Sequence, residues 1–312
     1  MTVVEDVVSP PATGIRPRGV SRREAWQRRL PLLPALIYTI VVTQVPFLVT
    51  LWYSFQTYFW NEPGGAHWTG VSNYKEVFTD PSFRSALVRS VTMTAIAVIV
   101  AMILGVALAV LLDRKFPGRG IVRTLIITPF LIMPAAAALV WAGPMLDPNF
   151  GLLNYLLEPF GVNHIAWLST HAYGSVIVVM IWQWTPFMTL IVLAGLQGQA
   201  TDILEAAKVD GASAWATFRE LTLPHLRPYI ELGILLGSIY LVNVFDQVRL
   251  MTNGGPGTST TTLPFYLYQK VNYAFDIGNA AAAGVVTVIL TIIVASFALR
   301  LFARVFQFEE AK

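Results

Sequence analysis

Four polar side chains stand in apolar surroundings: Gln183, Asn243, Asp246 and Gln247, with Trp182 and Trp184 on either side of the first. Amides and a carboxylate exchange hydrogen bonds with hydroxyls, and indole rings offer flat apolar faces. Together these groups suit an uncharged, polyhydroxylated solute. The same side chains could serve as hydrogen bonds between helices, and Pro129, Pro134 and Pro186 could be simple kinks, so both readings stay open here.

Bond-making chemistry is not suggested. There is no Gly-x4-Gly-Lys-Ser/Thr to cradle a phosphate, no His-Glu-x-x-His or Cys/His cluster for zinc, and no Gly-x-Ser-x-Gly elbow. The chain has no cysteine, which excludes disulfides and thiolate catalysis. No metal or cofactor of its own and no enzymatic role are expected.

The elements that must position these residues read as membrane spans. Of 312 residues 55% are hydrophobic and 12% charged, against roughly 25% charged in a soluble domain. The mean hydropathy is +0.60. Six apolar stretches approach the ~20 residues that a bilayer requires: Leu30–Tyr53, Ala86–Leu112, Ile121–Gly143, Tyr173–Leu196, Tyr229–Leu250 and Ala280–Phe302. The expected fold is an all-α integral membrane protein of six transmembrane helices. Its expected parts are a basic tail (1–29), a first helix with an external loop (30–85), a core of five helices (86–306) and a short C-terminus (307–312).

The net charge of +3 reports topology, not nucleic-acid binding. With the N-terminus inside, sixteen Lys and Arg residues fall on the cytoplasmic side and five (Lys75, Arg84, Arg89, Arg249 and Lys270) outside. Both termini are therefore expected to be cytoplasmic, with anionic headgroups as neighbours of the basic tail. No span has an ionisable residue near its middle; Glu231 and Asp246 lie toward opposite ends of the fifth. A self-contained carrier or channel is the alternative to consider, but ion-coupled carriers usually need such a group. A membrane-embedded enzyme would need a polar cluster at one depth, and only Asn243, Asp246 and Gln247 come close.

The connection 197–228 is far longer than neighbouring helices need, and long ordered loops tend to be functional. Its residues predict two short helices. Asp202 and Glu205 have capping-box spacing, Gly211 is a natural terminator, Ser213 can cap the second helix, and Pro224 is expected to end it. Leu204, Ala207 and the apolar side bearing Trp215, Phe218 and Leu221 would form a compact cytoplasmic knob that fits a partner.

Glu205-Ala206-Ala207, then Asp210-Gly211, then Leu223-Pro224 resemble the coupling-loop signature of importer permeases of the ATP-binding-cassette superfamily, with a MetI-like core. Gly120-Ile121-Val122-Arg123 and Asn253-Gly254-Gly255-Pro256-Gly257 resemble the carbohydrate-uptake branch. Phe130–Trp141, Trp182-Gln183-Trp184 and Asn253–Ser259 look most like its polyol permeases. The resemblance covers nearly all of residues 30–306. It implies a bacterial cytoplasmic-membrane subunit that works by alternating access with a second permease, two ATPase subunits that bind ATP and Mg, and an extracytoplasmic solute-binding protein. It also implies that the loop's short helix sits in a cleft of the ATPase and transmits its closure to the spans.

Overall fold

The structure, a computed structural model, describes residues 30–162 and 164–310, the last ten as backbone. The expected basic tail, residues 1–29, lies outside the described residues, as do Ala311 and Lys312. The chain divides into two compact units, residues 1–49 and 50–312. The described part of the first is mostly helix α1 (Leu33–Tyr53), which carries no charged residue.

The second unit begins with a two-stranded hairpin, β1 (Gln56–Thr57) and β2 (His67–Trp68), paired antiparallel with Gln56 opposite Trp68. Helix α2 (Ser72–Thr79) closes it, and the Asn73 amide donates to the Ser54 and Gln56 carbonyls at 3.0 and 2.7 Å. Asp80 then caps the long α3 (Pro81–Asp113) by accepting from the Ser82 N–H.

Four helices are long and apolar enough to span a membrane: α1, α3, α7 (Ala172–Gln197) and the first 24 residues of α12 (Ile277–Glu310). A fifth candidate is broken. Helix α4 (Arg119–Leu131) and α5 (Pro134–Val140), which continues through a π turn at Trp141–Met145, are bent by 99° within the single span expected over 121–143. Pro134 explains the break. The residue before proline avoids helical backbone, and both Ile132 and Met133 are extended, with ψ of 131° and 134°.

The expected fifth span, Tyr229–Leu250, is also not one helix. Helix α10 (Leu223–Leu241) stops early, and a π turn follows at Val248–Thr252. Asn243 accounts for the stop. Its Nδ2 donates to the Ile239 carbonyl at 2.8 Å, the acceptor that its own backbone N–H would take in a helix. That N–H turns instead to Tyr240, three residues back. Between the long helices lie α6 (Leu152–Leu157), α8 (Thr201–Val209), α9 (Ala214–Thr217) and α11 (Leu263–Asn272).

Helix α7 packs along α3, and α10 fits between α7 and α12. Small residues permit this closeness, as they do where helices pack without a hydrophobic driving force. A Cβ on Gly105 of α3 would stand 2.6 Å from Met188 of α7, and one on Gly237 of α10 would stand 2.5 Å from the same methionine's methyl. Met188 is fully buried at this three-helix junction.

Candidate functional site: a pinned surface helix and an interior polar clasp

Helix α8 carries the Glu205-Ala206-Ala207 motif and ends in a Schellman arrangement. The Ala212 N–H reaches the Ala207 carbonyl at 2.9 Å and the Gly211 N–H reaches Lys208 at 3.2 Å. Gly211 makes this possible with φ of +77°, backbone that favours glycine. Ser213 caps the next helix as expected, accepting from the Ala216 N–H at 3.2 Å.

Two local expectations fail. The capping box does not form: the cap of α8 is Ala200, two residues before Asp202. Asp202 instead lies in the first turn and Lys208 in the last, both favourable to the helix dipole. Nor does Pro224 end the second helix. A π turn at Phe218–Thr222 carries α9 into α10, with the Leu223 N–H reaching Phe218 five residues back. Pro224 falls in the first turn of α10, where its missing N–H is tolerated.

The segment is anchored at its base. The His225 Nε2 lies 3.1 Å from the Gly195 carbonyl, joining the end of α7 to the start of α10. A Cβ on Gly195 would stand 2.7–2.8 Å from Tyr229 and Leu226, so glycine sets how closely these helix ends meet. Leu223 packs against the main core, while Pro224 is exposed. Ile203, Val209 (87% exposed) and Trp215 (70%) are exposed apolar side chains of this segment, with Trp215 stacked on Phe218. Leu204 and Ala207, expected at the centre of the knob, are half-buried. Ala206, Glu205 and Asp210 are exposed, and neither carboxylate has a side-chain partner among the described residues. The result is an outward-facing apolar and acidic helix, bridging two long helices.

In the interior the six expected pathway residues separate. Gln183 and Gln247 are both buried and bonded: Gln247 Nε2 donates to Gln183 Oε1 at 2.7 Å, and Gln183 Nε2 donates to the Ile132 carbonyl at 2.9 Å. That carbonyl was freed by the break before Pro134. Trp182 stands edge-on to Trp141, on another face of α7. Trp184 joins Phe130, Phe187 and Tyr240 in an aromatic cluster with centroids 5.1–5.7 Å apart. Asn243 is exposed, and Asp246 is half-buried with no side-chain partner among the described residues.

Sequence reasoning missed Phe130, Phe187, Tyr240 and His225. Tyr240 had a signal, since it lies one helical turn before Asn243. His225 had none, because its acceptor is a backbone carbonyl thirty residues away.

Apolar helices in a bundle, two of them broken around buried amides, and an exposed helix in the connection between α7 and α10 fit the transmembrane subunit of a transporter. Residues 101–307 match the family described as binding-protein-dependent transport system inner membrane component, and the chain belongs to it. It is thus a multi-pass inner-membrane transport subunit and not an enzyme. The chain is similar to the probable ABC transporter permease protein y4oQ of Sinorhizobium fredii, at 38% identity over 85% of this chain and 86% of that one. It is also similar to the trehalose/maltose transport system permease protein MalF of Thermococcus litoralis, at 32% over 86% and 91%. The trehalose transport system permease protein SugA of Mycobacterium tuberculosis is 30% identical over 93% and 94%. In fold the chain is similar to a solved bacterial ABC transporter involved in import of the polysaccharide alginate, with TM-score 0.76 and 22% identity, over 90% of this chain and 96% of that one.

Proposed function

We propose that this chain is one of two permease subunits of an ATP-driven importer for a sugar or polyol. The observation that carries the coupling role is the α8 surface: an exposed helix, ended by Gly211, in a connection whose two ends meet where His225 of α10 bonds the Gly195 carbonyl of α7. A rigid body that docks on Glu205, Ala206, Val209 and Asp210 can push both long helices at once. The docking body is a separate ATPase subunit, one of two, which supplies ATP and Mg.

In this reading the chain crosses the membrane six times with both termini cytoplasmic. The broken α4–α5 pair is the third crossing, and α10 with the segment after it is the fifth. Residues 86–306 form the permease core. An extracytoplasmic binding protein delivers the solute to the external loops. Closure of the ATPase pair, carried by α8, opens the pathway outward, and hydrolysis resets it. The names of the relatives support a carbohydrate as solute. Trp184 and Tyr240 supply stacking faces along the path, with Asn243 the exposed amide nearest to them in sequence.

Reconstitution of this chain with a second permease, the ATPase pair and the binding protein tests the reading. ATP-dependent accumulation of trehalose, maltose, mannitol or sorbitol is expected only with all components. Full-rate movement of a sugar by the purified chain alone would contradict it.

A further inference from the structure

A second polar site lies away from the aromatic cluster, where the start of α3 meets α11. It is a cleft of ≈ 350 Å³ lined by, among others, Asp80, Ser82, Tyr266, Gln269, Lys270 and Tyr273. That size is at the lower end of small-molecule pockets, roughly 300–1,000 Å³.

One wall of the cleft is fixed. Asp80 accepts from the Tyr266 hydroxyl at 2.7 Å and the Ser82 N–H at 2.8 Å, and pairs with Lys270 Nζ at 3.4 Å. Lys270 also lies over the Tyr266 ring, 5.4 Å from its centroid, and Phe83 packs edge-on against that ring from the core. The acid and the ammonium neutralise each other, and Arg89 approaches from the rim, where it donates to the hydroxyl of the lining Thr258 at 3.3 Å.

The remaining wall is open to solvent. The Gln269 amide and the Ser82 hydroxyl make no side-chain hydrogen bond among the described residues. Tyr273 is 53% exposed and held edge-on by Tyr268. A free amide, a free hydroxyl, a neutralised ion pair and an exposed phenol ring match a neutral molecule with many hydroxyls and one C–H face.

We propose that this cleft is an external receiving site for one sugar or polyol unit, separate from the pathway around Trp184 and Tyr240. The assignment rests on the sugar-importer reading for its ligand class and for its place outside the membrane. Gln269 reads the hydroxyls, Tyr273 covers the C–H face, and the Asp80–Lys270 pair sets their spacing.

The natural chain has no cysteine, so Ser82→Cys introduces a single thiol at the cleft. Its rate of reaction with a membrane-impermeant maleimide is measured in the full chain in proteoliposomes, with and without trehalose, maltose or mannitol. At least one sugar is expected to slow the reaction. Adding Gln269→Ala should raise the half-protecting concentration about threefold to tenfold, the equivalent of one net hydrogen bond. Ala274→Cys, at another lining position to which no ligand contact is assigned, is a second reporter and should show the same protection. Ser85→Cys, in the neighbouring depression with Arg84 and Arg89, should be unaffected.

The site assignment is overturned if no sugar slows either cleft thiol, if Ser85→Cys is slowed equally, or if only sugar-free binding protein protects. Uptake by the assembled transporter is scored separately. Protection without uptake supports the cleft and contradicts the import reading; uptake without protection does the reverse.

Discussion

Gln247 donates to Gln183 at 2.7 Å, and Gln183 passes the interaction on to the Ile132 carbonyl at 2.9 Å. This buried chain ties two interruptions of regular structure to one continuous helix. It joins α7, the break between α4 and α5, and the turn that follows α10. Replacing Gln183 by Leu removes both bonds and strands the Ile132 carbonyl, whereas Gln247→Leu removes one. Hydrogen bonds between membrane helices contribute about 0.6 kcal/mol on average, and an orphaned buried acceptor costs about 1–3 kcal/mol. Thermal unfolding in detergent should therefore rank Gln183→Leu below Gln247→Leu, and both below the natural chain. Equal Tm values for the two variants would contradict the clasp.

Gly211 closes α8 with left-handed backbone. Open space surrounds its position, so a side chain would meet backbone strain rather than a clash. Left-handed backbone costs most residues about 1–2 kcal/mol, and asparagine less. Gly211→Val should reduce ATP-coupled uptake strongly with membrane insertion intact, and Gly211→Asn should retain most of it. Uptake assays beside membrane-fraction blots check both. Normal coupling in Gly211→Val would remove the geometric role of this turn.

Asp80 offers a prediction in pH. Burial alone would raise its pKa, but the Tyr266 hydroxyl, the Ser82 N–H and Lys270 outweigh this and hold the carboxyl below the ordinary carboxylate range. Burial and the bond to Asp80 push the Tyr266 phenol up. A depressed acid stabilises the fold above its unfolded pKa, and that stability is lost as pH falls through the folded value. The Tm gap between the natural chain and Asp80→Asn should be constant at neutral pH and should narrow once pH drops below the ordinary carboxylate range. A gap that widens on acidification would contradict the assignment.

The long apolar runs at α1, α3, α7 and α12 were legible because uncharged length is a strong signal. Gly211 and Ser213 were legible because turn and cap chemistry is local. Pro134 was visible, but its 99° consequence was not, since proline in a membrane helix can equally be absorbed by neighbours. The end of α10 was hidden because Asn243 reads as a polar residue in a span until its side chain is seen on the Ile239 carbonyl. Gln183 and Gln247 were visible as polar residues in apolar stretches. Whether an amide faces a solute or another amide depends on contacts 51 and 64 residues apart in the chain, which periodicity does not encode.

The coupling claim is tested most directly at Val209, which is 87% exposed on α8. A photo-crosslinking amino acid placed there, in the chain co-expressed with its ATPase and binding protein, reports what touches the helix. The account predicts a covalent adduct with the ATPase subunit, reduced by Gly211→Val. Adducts with the binding protein or with lipid, and none with the ATPase, would contradict it.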